Sequence, residues 1–180
     1  MKTRIIIAIL AGIIAAAITF TWLGSPEKQY QLVSQEYNFS AAFPDTPTVT
    51  QTTNDEGKAK TEWAVKHDHI TWTEYYTLSA TCYDETLDPA KEFDNADTDP
   101  TWVLNGIKVL QSNRLTISAL KTGRELQAFS RVSQDTTTGN ILLHRTILDG
   151  RCMIDATARV DKGKTEGQAA SFILSVKIVQ

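Results

Sequence analysis

Ile70-Thr71-Trp72-Thr73-Glu74-Tyr75-Tyr76-Thr77-Leu78-Ser79-Ala80-Thr81-Cys82-Tyr83 alternates two kinds of side chain. The even positions carry Ile70, Trp72, Glu74, Tyr76, Leu78, Ala80 and Cys82, and the odd ones are Thr, Ser or Tyr. A period of two held for so long predicts a strand with one buried face. The preceding run, Lys58 to Lys66, puts Ala59, Trp63 and Val65 on one side. A tight loop at His67-Asp68 would pair Val65 with Ile70 and Trp63 with Trp72, a cross-strand aromatic pair on the apolar face. A slip of one residue would expose both pairs, which favours this register.

Outward from this hairpin the β period persists. Tyr37, Phe39, Ala41 and Phe43 alternate up to Pro44, and a Thr-rich strand, Thr48 to Thr53, ends at Asn54-Asp55-Glu56-Gly57. Downstream, Asp88-Pro89 and Asp99-Pro100 each read as an N-cap followed by proline at the first helical position. The first opens a short helix. The second predicts a helix to about Ser112, with Val103, Ile107 and Leu110 on one face. Strands are expected at Leu115 to Leu120, Leu126 to Val132, Ile141 to Leu148 and Arg151 to Val160, the last two joined by a turn at Asp149-Gly150. A helix, Thr165 to Ile173, and a short strand, Val176 to Val179, close the domain. The expected fold class is α+β: a mostly antiparallel sheet flanked by helices.

The N-terminus is different in kind. After Met1-Lys2-Thr3-Arg4, the 19 residues Ile5 to Leu23 carry no charge. About 20 apolar residues span a bilayer core as a helix, and the basic residues before it favour a cytoplasmic N-terminus. Trp22 and Pro26 make a poor cleavage context, so an uncleaved signal-anchor is expected over a cleaved signal peptide. The organisation read is 1–24 anchor or signal peptide, 25–35 tether, and 36–180 one soluble domain. Beyond the anchor, the 18 basic residues less Lys2 and Arg4, set against 21 acidic ones, leave a net charge of −5. A mildly acidic domain with no basic stripe argues against a nucleic-acid partner.

The opening Tyr37-Asn38-Phe39-Ser40-Ala41-Ala42-Phe43-Pro44-Asp45-Thr46-Pro47, the long hairpin, the Arg145 to Met153 hairpin and the close Ser171-Phe172-Ile173-Leu174-Ser175 resemble the PsbP-like superfamily, which includes DcrB-type bacterial envelope lipoproteins. Val176 departs from that family's final Phe, and the lipoprotein Cys is absent. The resemblance implies an exported, non-catalytic α/β/α sandwich serving a larger complex, with no catalytic residues to transfer. The expected setting is the inner membrane facing the periplasm or cell exterior, or secretion if the leader is cut. The expected partners are another envelope protein and, through the N-terminal helix, the membrane.

No catalytic, cofactor or metal motif emerges, so an enzyme is not expected. His67-Asp68-His69 supplies ligand types but lacks a third ligand. Asp94 to Asp99 fails the calcium-loop pattern, with Pro100 and Gly106 where Gly and Glu belong. His144 is placed opposite Asp155, but no serine elbow accompanies that pair. Two readings of function stand: a non-catalytic envelope domain that binds another protein, and an exported domain that binds a small ligand or metal ion.

Three features are candidate structural sites. Cys82 and Cys152 each fall on an apolar face; export permits a disulfide between them, and two separate buried thiols is the alternative. Glu74 and Arg145 are each the single charge on an otherwise apolar face. A lone buried charge needs a partner or an escape to water. They are therefore candidates for a buried ion pair, or for two groups that snorkel outward separately.

Overall fold

The computed structural model describes residues 29–98, 106–164 and 166–180. The chain forms β1 (Tyr30–Ser34), β2 (Phe39–Phe43), β3 (Thr48–Thr53), β4 (Ala59–Asp68), β5 (Thr73–Cys82), α1 (Pro89–Thr98), β6 (Ile107–Ser118), β7 (Glu125–Asp135), β8 (Ile141–Asp149), β9 (Cys152–Val160), α2 (Gly167–Ser175) and β10 (Lys177–Ile178). One antiparallel sheet has seven strands in the order β3-β4-β5-β9-β8-β7-β6. A small antiparallel sheet has the order β1-β2-β10.

This corrects the expected α+β sandwich flanked by helices. Among the described residues, 56% are strand and 11% helix, with two helices. The decisive stretch is residues 107–112, expected as the second half of a helix. They begin β6, which pairs with β7 from Ile107 to Ser118. A register irregularity between Val109 and Gln111 switches the apolar positions from one face to the other. In the sequence, Leu110 and the polar run Gln111 to Arg114 interrupt the period of two, and Ile107 and Leu110 fall at a helical spacing by coincidence. Pairing along β7 overrides the local pattern. The expected opening of that helix, residues 99–105, lies outside the described residues, as does the apolar run 5–23. Among the described residues no helix is long and apolar enough to cross a membrane. Tyr30–Ser34, expected within the tether, is a strand.

The two faces of the large sheet differ. One carries Trp63, Val65, Tyr76, Leu78, Ala80, Ile154, Ala156, Ala158, Val160 and Ile147, all buried. It is covered by the small sheet and by α2. Phe172 of α2 packs against Phe43 of β2 at 4.8 Å between ring centroids and against Tyr76 of β5 at 5.3 Å. Ser175 fastens the same contact, accepting a hydrogen bond from Ala42 N at 2.8 Å. On the other face, Phe93 of α1 stacks on Phe129 beside Leu148. Asp88 starts α1 as an N-cap, its carboxylate accepting from Ala90 N at 3.0 Å.

The β4–β5 register corrects the expected one. Val65 pairs with Tyr76 and Trp63 with Leu78, because the turn is the longer His69–Trp72 segment, closed by His69 N donating to Trp72 O at 2.9 Å. The Trp63–Trp72 pair is therefore not formed. Trp63 meets Phe39 edge-on at 5.2 Å, whereas Trp72 stacks on His69 at 3.7 Å. Ile70, expected as a strand residue, is fully exposed at the turn. The slip is an even number of residues, so every side chain keeps its face and the core survives the error. The β8–β9 turn moves likewise. Asp149 pairs with Cys152, and His144 lies opposite Thr157 rather than Asp155.

Candidate functional site

The four expected pairings have different fates. Cys82 and Cys152 sit directly opposite on β5 and β9, and their sulfurs are bonded, with the Cα atoms 4.0 Å apart. Two separate thiols is the alternative that the structure does not adopt. Trp63 and Trp72 are apart, as described. His144 and Asp155 still meet, diagonally, at 3.4 Å, with Thr146 Oγ1 donating to Asp155 at 2.6 Å. The carboxylate is thus held by a neutral hydroxyl as well as the ring.

Glu74 and Arg145 do not meet, which corrects the expected ion pair. Arg145 pairs with Ala156, and Ala156 with Leu78, four residues beyond Glu74. That separates the two by roughly 13 Å along the strands and roughly 10 Å across them. Glu74 is completely buried. One carboxylate oxygen accepts a bond from the Tyr76 hydroxyl and lies 3.3 Å from His69 Nε2. The other oxygen is buried without a partner. His67 stands opposite Glu74 on β4. Glu74 is the nearest thing to the third ligand missing from His67-Asp68-His69. Yet among the described residues no group of three His, Cys, Asp or Glu side chains is placed to hold a metal ion. The His69 ring stacks on Trp72 while its Nε2 faces Glu74.

Arg145 has a different setting. It lines a cleft of about 200 Å3 between α2 and strands β6, β7 and β8. Its Nε donates to Ser130 Oγ at 3.2 Å and its Nη1 to the Ile173 carbonyl at 3.4 Å. That carbonyl belongs to the last turn of α2, where a cation complements the exposed carbonyls. Burial lowers the guanidinium pKa from its ordinary value. Val132, Leu143, Ala170, Ile173 and Leu174 supply apolar walls, and Gln111 and Asn113 of β6 the polar rim. A small apolar cleft with one convergent charge is the usual shape of a binding site. A second, larger hollow near Tyr83 is lined by Glu56, Asp84, Glu85, Asp88 and Glu92 with Lys58 and Lys91. It is a charged surface in which Lys58 and Asp84 pair with one another.

The sequence flags Arg145 as an outlier but misses what surrounds it. The Ser130 hydroxyl and the Ile173 carbonyl become its acceptors only through the β7–β8 register and the seat of α2. The one legible signal is the lone charge itself.

No protein-family model matches the chain, and no curated protein matches it. Two solved structures are similar in part. One, from Bacteroides thetaiotaomicron, is 11% identical with a TM-score of 0.38, over 86% of this chain and 49% of that one. The other is LpqN, involved in cell envelope biogenesis of Mycobacterium tuberculosis, 12% identical with a TM-score of 0.37, over 85% of this chain and 91% of that one. This chain thus spans about half the length of the first. Likenesses of this size carry no argument about fold or role, and the PsbP-like resemblance finds no support in a family match.

Proposed function

We propose that this chain is a non-catalytic binding domain of the cell envelope, facing the periplasm or exterior and joined there to another protein. The Cys82–Cys152 bond carries this reading, because disulfides persist in oxidising compartments. The uncharged apolar run at residues 5–23 agrees with it. The outer edge of β3, unpaired among the described residues, supports a protein partner. Thr48–Thr53 is exposed throughout, uncharged and rich in β-branched residues, a form suited to receiving a strand. The opposite edge, β6, is irregular at Val109/Gln111 and carries Lys108 and Arg114, both of which discourage pairing.

Photocrosslinkers at Thr50 and Thr52, used in intact cells, test the partner, and thiol counting on unfolded, unreduced protein tests the compartment. A specific adduct and no free thiol are expected. Two free thiols would remove the support for export, and the absence of any adduct would remove that for a strand-adding partner. A second reading, an exported domain that binds a small ligand, is favoured by one observation: the cleft beneath α2, with a guanidinium in its wall.

A further inference from the structure

We propose that the cleft beneath α2 binds a small carboxylate with a short apolar tail, its head on Arg145 and its tail along Val132, Leu143, Ile173 and Leu174. This rests on the small-ligand reading above and names the chemistry of that ligand.

The charge comes first. A guanidinium has five N–H donors. Arg145 spends two on Ser130 and Ile173, both neutral acceptors. The acids on the same face of the sheet are occupied elsewhere. Glu74 is sealed with Tyr76 and His69, and Asp149 pairs with Arg124. Among the described residues, Arg145 therefore keeps donors and a positive charge with no acidic partner at the wall of a cleft. A carboxylate matches the planar fork of a guanidinium with two parallel bonds.

The walls set the rest of the ligand. Val132 and Leu143 face each other across β7 and β8, and Ile173 and Leu174 close the cleft from the helix. Leu174 is 60% exposed, a large apolar side chain left open to water at the rim. Burying these groups favours an apolar tail. Size limits its length. About 200 Å3 equals the space of roughly seven waters at about 30 Å3 each. That suits a carboxylate of roughly seven to ten non-hydrogen atoms, well short of a long-chain lipid. The chain as a whole is acidic, at −3, so no general field collects anions, and recognition must come from this site.

Hexanoate and 1-hexanol, added separately to the full-length protein, test the idea by thermal melting. Hexanoate at a hundredfold excess over its Kd should raise the Tm by about 5–10 °C, and hexanol should not. Arg145→Met should abolish the shift and Arg145→Lys should weaken it, since lysine keeps the charge and loses the fork. Ala170→Leu, which fills the cleft from the helix and leaves Arg145 intact, should also abolish it. Ala170→Leu keeps the test open if Arg145→Met fails to fold. Equal shifts from hexanol and hexanoate, unaffected by Arg145→Met, would overturn the carboxylate assignment while leaving a small-ligand domain in place. No shift from either compound would overturn the assignment and the small-ligand reading together.

Discussion

Glu74 and Arg145 carry the same signature in the sequence, a single charge on an apolar strand face, and the fold treats them in opposite ways. Glu74 lies beside the β4–β5 turn, closed off from water, one carboxylate oxygen held by a tyrosine hydroxyl and an imidazole and the other left without a partner. Arg145 lies where α2 stops short of the sheet edge, and it opens on a cleft. The difference teaches that a lone charge marks a place where packing is interrupted. Whether the interruption is structural or functional depends on what covers it. Phe172 packs on Tyr76 and Phe43 next to Glu74, whereas the Arg145 end is bordered by the exposed Leu174.

The largest test acts on the cover that both regions share. Phe172→Ala should cost about 3–5 kcal/mol in urea unfolding, because its ring joins Phe43 to Tyr76. Next, the two charges should respond unequally. Tyr76→Phe strips the buried carboxylate of its hydroxyl donor and should cost about 1–3 kcal/mol. Arg145→Met should cost under about 1 kcal/mol, since neither a sealed charge nor an acidic partner is left behind. Equal costs would erase the contrast. Glu74→Gln combined with Arg145→Met should be additive within about 0.5 kcal/mol, and a larger coupling would show that the residues communicate.

The smallest effect is in acid. Asp68, beside the Glu74 turn, has its carboxyl held below its ordinary pKa by the Lys66 ammonium and then the Thr73 hydroxyl. Its contribution is present above the unfolded pKa of about 3.9 and is lost as pH falls through the lower folded value. Asp68→Asn should therefore flatten the acid limb of the stability profile slightly and leave the profile near neutrality little changed. An unchanged acid limb would show that this surface pair contributes nothing.

The strands around the long hairpin were legible because the period of two survives there without interruption. Trp63, Val65, Tyr76, Leu78 and Ala80 are read as buried whichever even register is chosen. The registers themselves were not legible. The β4–β5 register turns on the length of the His69–Trp72 segment, and the β8–β9 register on a two-residue turn that falls at Gly150-Arg151, one place after the Asp149-Gly150 signal. The first half of β6 was hidden for a different reason: Leu110 at the irregularity and the polar run Gln111 to Arg114 interrupt the alternation, whereas Leu115 to Ser118 fall within an expected strand. The cleft was half legible. Arg145 stands out as a charge, but its partners sit on β7 and α2, and only tertiary structure brings them there.

The strand order has a consequence for how the domain is made. β5 lies in the middle of the large sheet, yet one of its neighbours is β9, whose Cys152 follows Cys82 by 70 positions. β2 likewise waits for β10. During synthesis or export, the aromatic-rich edge of β5 must stay unpaired while α1 and the β6–β8 meander emerge. Such non-local pairing is slow and exposes an edge to other chains. The Cys82–Cys152 bond, like the β5–β9 pairing it joins, can therefore close only after β9 has emerged.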